Sequence, residues 1–127
     1  MIVLDSWALL AYMKAEPAAA RIEAEWLAQG AAISAVNLGE VLYLRIRSAG
    51  ENRARAEVEE IRSLLTVVDA DWPSVRTAAR VKAPGGLAYA DAFCVAAALH
   101  LDAPLWTGDP EILEQADRYE FEAVDLR

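Results

Sequence analysis

The sequence predicts an α/β fold, a three-layer α/β/α sandwich around a central parallel sheet of four to five short strands. The first observation is that short apolar runs alternate with longer stretches whose apolar residues recur at helical spacing. The second is that helical stretches lie between successive runs, an arrangement typical of right-handed β–α–β crossovers. The length of 127 residues predicts one domain, residues 1–127, without room for a second independent core.

Capping and turn residues set the predicted boundaries in the first half of the chain. Ser6 is placed to cap a helix, and Pro17 suits the first turn of another. Gly30 and Gly50 each follow a helical stretch and are predicted to end it. The resulting elements are a strand at 2–4, helices at 6–13 and 17–29, a strand at 31–35, a helix at 38–49, and a helix whose core stripe is Val58, Ile61, Leu64 and Leu65.

The second half of the chain continues the alternation and contains one clear break. Pro84–Gly86 interrupts the helical pattern and predicts a loop before the helix that carries Asp91. Gly108 allows a tight turn, and Pro110 suits the first turn of a short helix. The resulting elements are a strand at 66–68, a helix at 73–82, the helix of Asp91, a strand at 105–107, the short helix from Pro110 and an edge strand at 123–124.

Three features of the sequence bear on the cellular location of the protein. The longest apolar run, Ala92–Leu99, is far shorter than a membrane span. Met1–Leu4 is followed at once by Asp5, which leaves no space for the core of a signal peptide. The single cysteine, Cys94, has no partner for an internal disulfide. We therefore expect a cytoplasmic protein without a membrane partner.

Four acidic residues occupy positions where ligands gather in parallel α/β sheets. Asp5 comes directly after the first strand, and Asp109 follows the fourth strand after one glycine. Glu40 is expected in the first turn of the helix after the second strand, and Asp91 near the start of the helix before the fourth. Because ligands bind beyond the carboxyl ends of the strands, these four side chains are candidates for one site. Carboxylate oxygens suit Mg²⁺ or Mn²⁺, and two divalent ions would offset the repulsion between the acids.

Each acid also has a purely structural interpretation. An aspartate after a strand often caps a helix, which would explain Asp5 and Asp109. A glutamate in a first turn, as expected for Glu40, is favoured by the helix dipole. Asp91 is harder to explain in this way, because it lies in an otherwise apolar helix, where an unpaired charge is costly. The hypothesis of a metal site therefore depends on the four residues together.

The net charge of −8 argues against a nucleic-acid partner, since basic residues that neutralise phosphates supply much of the affinity of such proteins. The charge is uneven, however. Arg76, Arg80 and Lys82 lie in a stretch, residues 74–90, that contains no acid. A second basic group at 45–62 is interleaved with glutamates. Bound divalent cations would make the acidic site much less negative, so net charge alone does not exclude a nucleic-acid partner.

The sequences around the four acids resemble the motifs of PIN-domain nucleases. Ile2–Ala11 is similar to the first motif, a hydrophobic strand ending in Asp-Ser/Thr, and Ile33–Val41 resembles the second, with its glutamate inside a helix. Tyr89–Ala98 is similar to the third, and Leu105–Asp109 resembles the fourth, a strand followed by Thr-x-Asp. The resemblance spans the whole chain and is closest to VapC-type toxins, bacterial or archaeal ribonucleases that a small cognate antitoxin holds inactive.

This resemblance implies a function, a cofactor and partners. It implies a metal-dependent endoribonuclease, the toxin of a VapBC-like toxin–antitoxin pair, which cleaves RNA by metal-activated water with one or two Mg²⁺ or Mn²⁺ ions. Its partners would be RNA, a small cognate antitoxin and, because family members commonly dimerise, a second copy of the chain. Carried over position by position, it implies four catalytic metal ligands and two hydroxyls that orient them or a bound water: Asp5, Glu40, Asp91 and Asp109, with Ser6 and Thr107.

Two other functions stay open at this point. A haloacid-dehalogenase-like phosphatase also begins with a strand ending in aspartate, but it needs a second aspartate two residues later, where this chain has Trp7. The other alternative is a PIN fold retained as a catalytically silent binding module. The presence of all four acids argues against it, because an inactive site gains nothing from their repulsion. Metal-dependent cleavage of a mixed RNA pool would separate a nuclease from a binding module.

Overall fold

The structure, a computed structural model, describes residues 1–127 and alternates strands and helices along the chain. Its five strands are β1 (Ile2–Leu4), β2 (Ala31–Ser34), β3 (Thr66–Val68), β4 (Leu105–Thr107) and β5 (Ala123–Asp125). Its eight helices are α1 (Ser6–Met13), α2 (Ala19–Gln29), α3 (Ala35–Ala49), α4 (Glu51–Arg62), α5 (Trp72–Lys82), α6 (Tyr89–Leu101), α7 (Pro110–Glu114) and α8 (Ala116–Tyr119). Every predicted strand is present, and the short helix α8 was not predicted.

The five strands form one parallel sheet in the order β3-β2-β1-β4-β5. Leu4 at the end of β1 pairs with Ile33 in β2 and with Trp106 in β4, so the carboxyl ends of these three strands lie side by side. The order of the strands reverses between β1 and β4. Such a switch point opens a crevice at the carboxyl edge of a parallel sheet, where ligands of α/β proteins bind.

Side chains of the strands alternate between the two faces of the sheet and build two separate cores. Val3, Ala32 and Leu105 pack with the buried residues of α5 and α6. Leu4 and Ile33 pack on the opposite face with buried residues of α1, α2, α3 and α4. Helices therefore cover both faces, which confirms the predicted three-layer sandwich with a central parallel sheet. None of the helices combines the length and the apolar character that crossing a bilayer requires.

The structure corrects the predicted cap of α1. The carboxylate of Asp5 caps this helix, because its Oδ1 accepts a hydrogen bond from the backbone N of Ala8 at 2.7 Å. Ser6, the predicted cap, is the first helical residue instead. Aspartate and serine are both good caps, so the sequence did not distinguish two adjacent candidates.

The start of α3 was also predicted wrongly. The side chain of Ser34 accepts a hydrogen bond from the backbone N of Asn37 at 3.0 Å and caps the helix. Because of this cap, β2 ends at Ser34 and α3 begins at Ala35, three residues earlier than predicted. Glu40 therefore lies in the second turn of α3 and not in the first.

The predicted core stripe of α4 is correct only in part. Val58 and Ile61 are buried, as predicted. The helix ends at Arg62, and Leu64 beyond it is 65% exposed. The helical spacing that placed Leu64 in the core does not apply to a residue outside the helix.

Candidate active site

Asp5 and Thr107 join the ends of β1 and β4 at the switch point. Asp5 is only 2% exposed, and its Oδ1 accepts the cap bond from Ala8 while its Oδ2 accepts a hydrogen bond from the hydroxyl of Thr107. Thr107 is fully buried, and its Oγ1 in turn accepts the backbone N–H of Asp109 at 2.9 Å. One hydroxyl therefore links the two aspartates that follow neighbouring strands.

Asp109 also caps a helix, as the structural interpretation proposed. Its Oδ1 accepts the backbone N–H of Glu111 at 2.9 Å at the start of α7, and Pro110 occupies the first helical position. The second carboxylate oxygen, Oδ2, receives no hydrogen bond from the protein. The capping bond fixes the orientation of the carboxylate and leaves one oxygen free for a ligand.

Glu40 is joined to the start of α6 through Asn37. The amide nitrogen of Asn37 donates to Oε1 of Glu40 and to the backbone oxygen of Ala90, each at 3.0 Å. Asn37 is completely buried, and the sequence analysis did not identify it as a site residue. Its position three residues before Glu40 on a helix was a usable signal, because residues at that spacing share a face. The contact with Ala90, 53 residues away, had no signal in the sequence.

Asp91 is the third residue of α6 and is half-buried. Its carboxylate makes no hydrogen bond and no ion pair within the protein, while its backbone oxygen accepts a hydrogen bond from Sγ of Cys94. Burial and nearby acids raise the pKa of the Cys94 thiol well above its usual range, in agreement with a core role for this residue. Asp91 therefore has the least constrained carboxylate of the four acids.

Two of the four acids, Asp5 and Asp91, have raised pKa values. Burial raises the pKa of Asp5 from 3.8 to about 7, helped by the charges of Asp91 and Asp109 and opposed by the hydrogen bonds that its carboxylate accepts. Burial also raises the pKa of Asp91 to about 6, and the charges of Asp109, Glu40 and Glu111 add to the effect. No lysine or arginine pairs with any of the four acids. Electrostatic interactions thus link Asp5 to Asp91 and Asp109, and Asp91 to Asp109 and Glu40, without a basic residue to balance them.

The four carboxylates suit a divalent cation that keeps part of its water shell better than an ion enclosed entirely by protein ligands. No group of three or more histidine, cysteine or acidic residues is arranged tightly enough to enclose an ion. Mg²⁺ keeps several of its water ligands and binds through as few as one or two carboxylates, so it does not need such a cage. Oxygen-only donors match the ligand preference of Mg²⁺ and Mn²⁺. The chemistry of these donors therefore suits either ion, without a pre-formed group of three ligands.

Comparison with known proteins establishes the family. The model of the PIN domain matches residues 2–119, which is nearly the whole chain. The chain belongs to the PIN-domain family. Membership in this family removes the haloacid-dehalogenase alternative. No curated protein sequence matches this PIN domain.

Solved structures with a similar fold include toxin–antitoxin proteins. A DNA-bound VapBC complex from Salmonella typhimurium is 18% identical with a TM-score of 0.78, over all of both chains. A toxin–antitoxin complex from Klebsiella pneumoniae is 16% identical with a TM-score of 0.77, over 100% of this chain and 98% of that one. VapC20 from Mycobacterium tuberculosis, a toxin that cleaves the sarcin–ricin loop, is 17% identical with a TM-score of 0.70, over 90% and 94%. At these identities, the similarity shows a shared fold.

Trp7 and Gly108 pack together beside the site of this PIN domain. A Cβ atom added to Gly108 would lie 2.4 Å from the indole of Trp7, so the ring rests directly on the glycine backbone. Gly108 separates Thr107 from Asp109, so the ring packs on the turn that presents Asp109. The glycine is needed for close approach of the ring.

The two hydroxyls that the family resemblance suggested differ in their contacts. The hydroxyl of Thr107 bonds the carboxylate of Asp5 and the backbone of Asp109. Ser6 is half-buried at the start of α1, and its hydroxyl bonds none of the four acids. An orienting role for Ser6 toward a bound water stays a prediction.

Proposed function

We propose that this PIN domain is a metal-dependent endoribonuclease and the toxin of a VapBC-like toxin–antitoxin pair. The observation that carries the proposal is the group of four acids at the switch point, none of them paired with a basic residue, in which the pKa values of Asp5 and Asp91 are raised. Perturbed pKa values of clustered groups at a crevice are typical of functional sites. The fold that this chain shares with VapBC toxin–antitoxin structures supports the biological context.

In the proposed site, Asp5, Glu40, Asp91 and Asp109 hold one or two Mg²⁺ or Mn²⁺ ions. When bound, such ions activate a water molecule and stabilise the leaving oxygen of a phosphodiester. Asp5 is a fixed ligand because two protein donors hold its carboxylate. Asp91 is an adjustable ligand because both of its oxygens are free of protein hydrogen bonds. Thr107 keeps the carboxylate of Asp5 oriented, and Ser6 is proposed to orient a bound water.

RNA binding is proposed to use the positive charge of α5. Arg76 and Arg80 are exposed and form no ion pair, and Nζ of Lys82 bonds the backbone oxygen of Leu87 in the segment that leads to α6. Much of the second basic group is neutralised, since its arginines at 45, 53 and 62 each bond a glutamate. Helix α5 therefore offers unpaired positive charge to an RNA backbone although the net charge is −8.

The proposed antitoxin docks on a partly apolar surface and reaches into the acidic site. Leu27 and Leu64 are 82% and 65% exposed, and a groove of about 220 Å³ is lined by Tyr12, Ile61 and Leu64 together with Glu57 and Glu60. An apolar helix face of the antitoxin would cover this surface. An antitoxin arginine would then occupy the cation position and form charge-assisted hydrogen bonds with the acids. A homodimer is proposed by analogy with the family.

The experiment is cleavage of a mixed RNA pool with Mg²⁺, with Mn²⁺ and with excess chelator. We expect metal-dependent cleavage that leaves 5′-phosphate and 3′-hydroxyl ends, and no activity in Asp5→Asn, Glu40→Gln, Asp91→Asn or Asp109→Asn. Asp69→Asn and Asp125→Asn are exposed acidic controls and should keep normal activity. Full activity in chelator, or 2′,3′-cyclic phosphate ends, would contradict the proposal. Metal binding without any cleavage would favour the silent binding module.

A further inference from the structure

Asn37 uses its whole side-chain amide in one buried hydrogen-bond network. Both amide hydrogens are engaged, one with Oε1 of Glu40 and one with the backbone oxygen of Ala90. Its Oδ1 accepts the hydroxyl hydrogen of Ser34, and its backbone N donates to the same Ser34 oxygen. The orientation of the amide is determined by these partners, because the reversed amide would turn Oδ1 toward two acceptors.

We propose that Asn37 is a positioning residue of the metal site. It holds the carboxylate of Glu40 in the conformation that a bound cation needs and keeps it beside Asp91. This inference rests on the proposed function, in which Glu40 and Asp91 are metal ligands. Asn37 is completely buried, and its polar side-chain atoms all bond other protein groups, so it would act through Glu40 and not directly on substrate.

The network connects two helices at the point where each carries an acid. Ala90 precedes Asp91 in the first turn of α6, and Glu40 lies in the second turn of α3. A single amide nitrogen thus bonds the carboxylate on α3 and the backbone of α6. The same nitrogen therefore ties Glu40 to the residue that directly precedes Asp91. Fixing one relative to the other sets the geometry of both.

The hydrogen bond also leaves part of Glu40 available. Only Oε1 receives a protein hydrogen bond, and Oε2 receives none. A carboxylate held by one oxygen keeps the other free for a cation, which is the usual arrangement of hydrogen-bonded metal ligands. Without Asn37, Glu40 would gain rotational freedom that cation binding must remove again.

The test is a double-mutant cycle with Mn²⁺ affinity, measured by calorimetry, as its readout. Asn37→Ala should weaken Mn²⁺ binding about 10–100-fold, the range found when a partner of a metal ligand is removed. In a Glu40→Ala background, adding Asn37→Ala should change the affinity by no more than about twofold, because Asn37 acts through Glu40. A purely structural role would give the same loss in both backgrounds.

The matched control removes a different long-range hydrogen bond. Tyr119→Phe deletes the bond from the Tyr119 hydroxyl to the backbone oxygen of Val81, at 2.7 Å, which touches none of the four acids. It should leave Mn²⁺ affinity at the wild-type value. If Asn37→Ala does not fold, Asn37→Ser, which keeps one donor, takes its place in the cycle with an intermediate loss expected.

The outcomes separate this inference from the proposed function. If wild type binds Mn²⁺ and the variants at Asn37 bind it equally well, or lose affinity equally with and without Glu40, the positioning role is wrong and the proposed function stands. If wild type binds no Mn²⁺, the proposed function fails and the positioning role falls with it. Loss that disappears in the Glu40→Ala background supports both.

Discussion

At the scale of single residues, Asp5 is both a helix cap and a buried acid with a raised pKa. It caps α1 through the backbone N of Ala8, and its burial at the end of β1 makes its ionisation costly. The cap explains why the chain tolerates a buried acid here, since the carboxylate replaces one of the missing hydrogen bonds of the helix start. The cap does not explain the pKa, which burial and two further acids raise.

The raised pKa of Asp5 predicts an unusual dependence of stability on pH. Between its unfolded value of 3.8 and its folded value of about 7, the folded protein binds more protons than the unfolded chain. The free energy of unfolding of metal-free protein should therefore fall as pH rises from about 4 to about 7, by up to roughly 4 kcal/mol. Asp91, with its pKa of about 6, acts in the same direction. Urea denaturation at several pH values measures the effect.

Two variants show whether Asp5 causes the pH dependence. Asp5→Asn has no charge to titrate and keeps a capping oxygen, so its stability should change much less across this pH range. Asp125→Asn should follow wild type, because the ion pair with Arg127 lowers the pKa of Asp125 and places its titration below the range. Equal slopes for wild type and Asp5→Asn would show that Asp5 is ionised normally in the folded protein.

Thr107→Val tests the link between the two aspartates. The change keeps the shape of a fully buried side chain but removes the donor to Asp5 and the acceptor for the backbone N of Asp109. We expect the metal-free protein to lose about 1–3 kcal/mol of stability, because buried polar groups lose their partners. RNA cleavage should fall about 10–100-fold, less than with any ligand replacement. Cleavage at the wild-type rate would show that the hydroxyl is structural only.

At the scale of elements, α5 carries Arg76 and Arg80 without an ion pair, whereas two of the three arginines of α4, Arg53 and Arg62, pair with glutamates of the same helix. Replacing Arg76 and Arg80 with glutamine should weaken RNA binding and reduce the slope of log affinity against log salt by about 1.4, if each contacts one phosphate of a single strand. Arg53→Gln is the matched control, because this arginine already pairs with Glu57 on the same helix. RNA titrations at several salt concentrations would decide; an unchanged slope would place the RNA elsewhere.

The strands, and the positions of two acids at strand ends, were the most predictable features of the sequence, for a clear reason. Asp5 follows a fully buried strand, and Asp109 follows another after one glycine, so a change from apolar to acidic residues marks each strand end. The start of α3 was less predictable, because Ser34 fits both the end of a strand and a helix cap. The network of Asn37 was not predictable, since its bond to Ala90 depends on how two distant helices pack.

At the scale of the whole molecule, we expect repulsion between the four acids to lower the free energy of unfolding of the metal-free protein. Metal-free protein carries their repulsion, and a cation that binds only the folded state should stabilise it by roughly 2.7 kcal/mol at a hundredfold excess over its dissociation constant. In chelator, Asp91→Asn should melt at or above the wild-type temperature, since one repelling charge is gone. In Mn²⁺, wild type should gain markedly and Asp91→Asn little.

Thermal unfolding monitored by circular dichroism measures both effects. Asp125→Asn, whose carboxylate pairs with Arg127 away from the four acids, should gain as much as wild type in Mn²⁺. If Asp91→Asn gains equally with wild type, Asp91 is not a ligand. If Mn²⁺ changes the melting temperature of neither the wild type nor any variant, the site does not bind the ion in the folded molecule.

Because Trp7 packs on Gly108, we expect substitutions at these two positions to be correlated among related sequences. No side chain fits at 108 while an indole occupies the space above it, because the first added carbon would overlap the ring. A larger residue at 108 therefore requires a smaller one at position 7, and the two should change together as related sequences diverge. Gly108→Ala alone should impair folding, whereas Gly108→Ala combined with a smaller residue at Trp7 should recover part of the loss. The turn that presents Asp109 thus depends on two residues from distant parts of the chain, and neither is free to change alone.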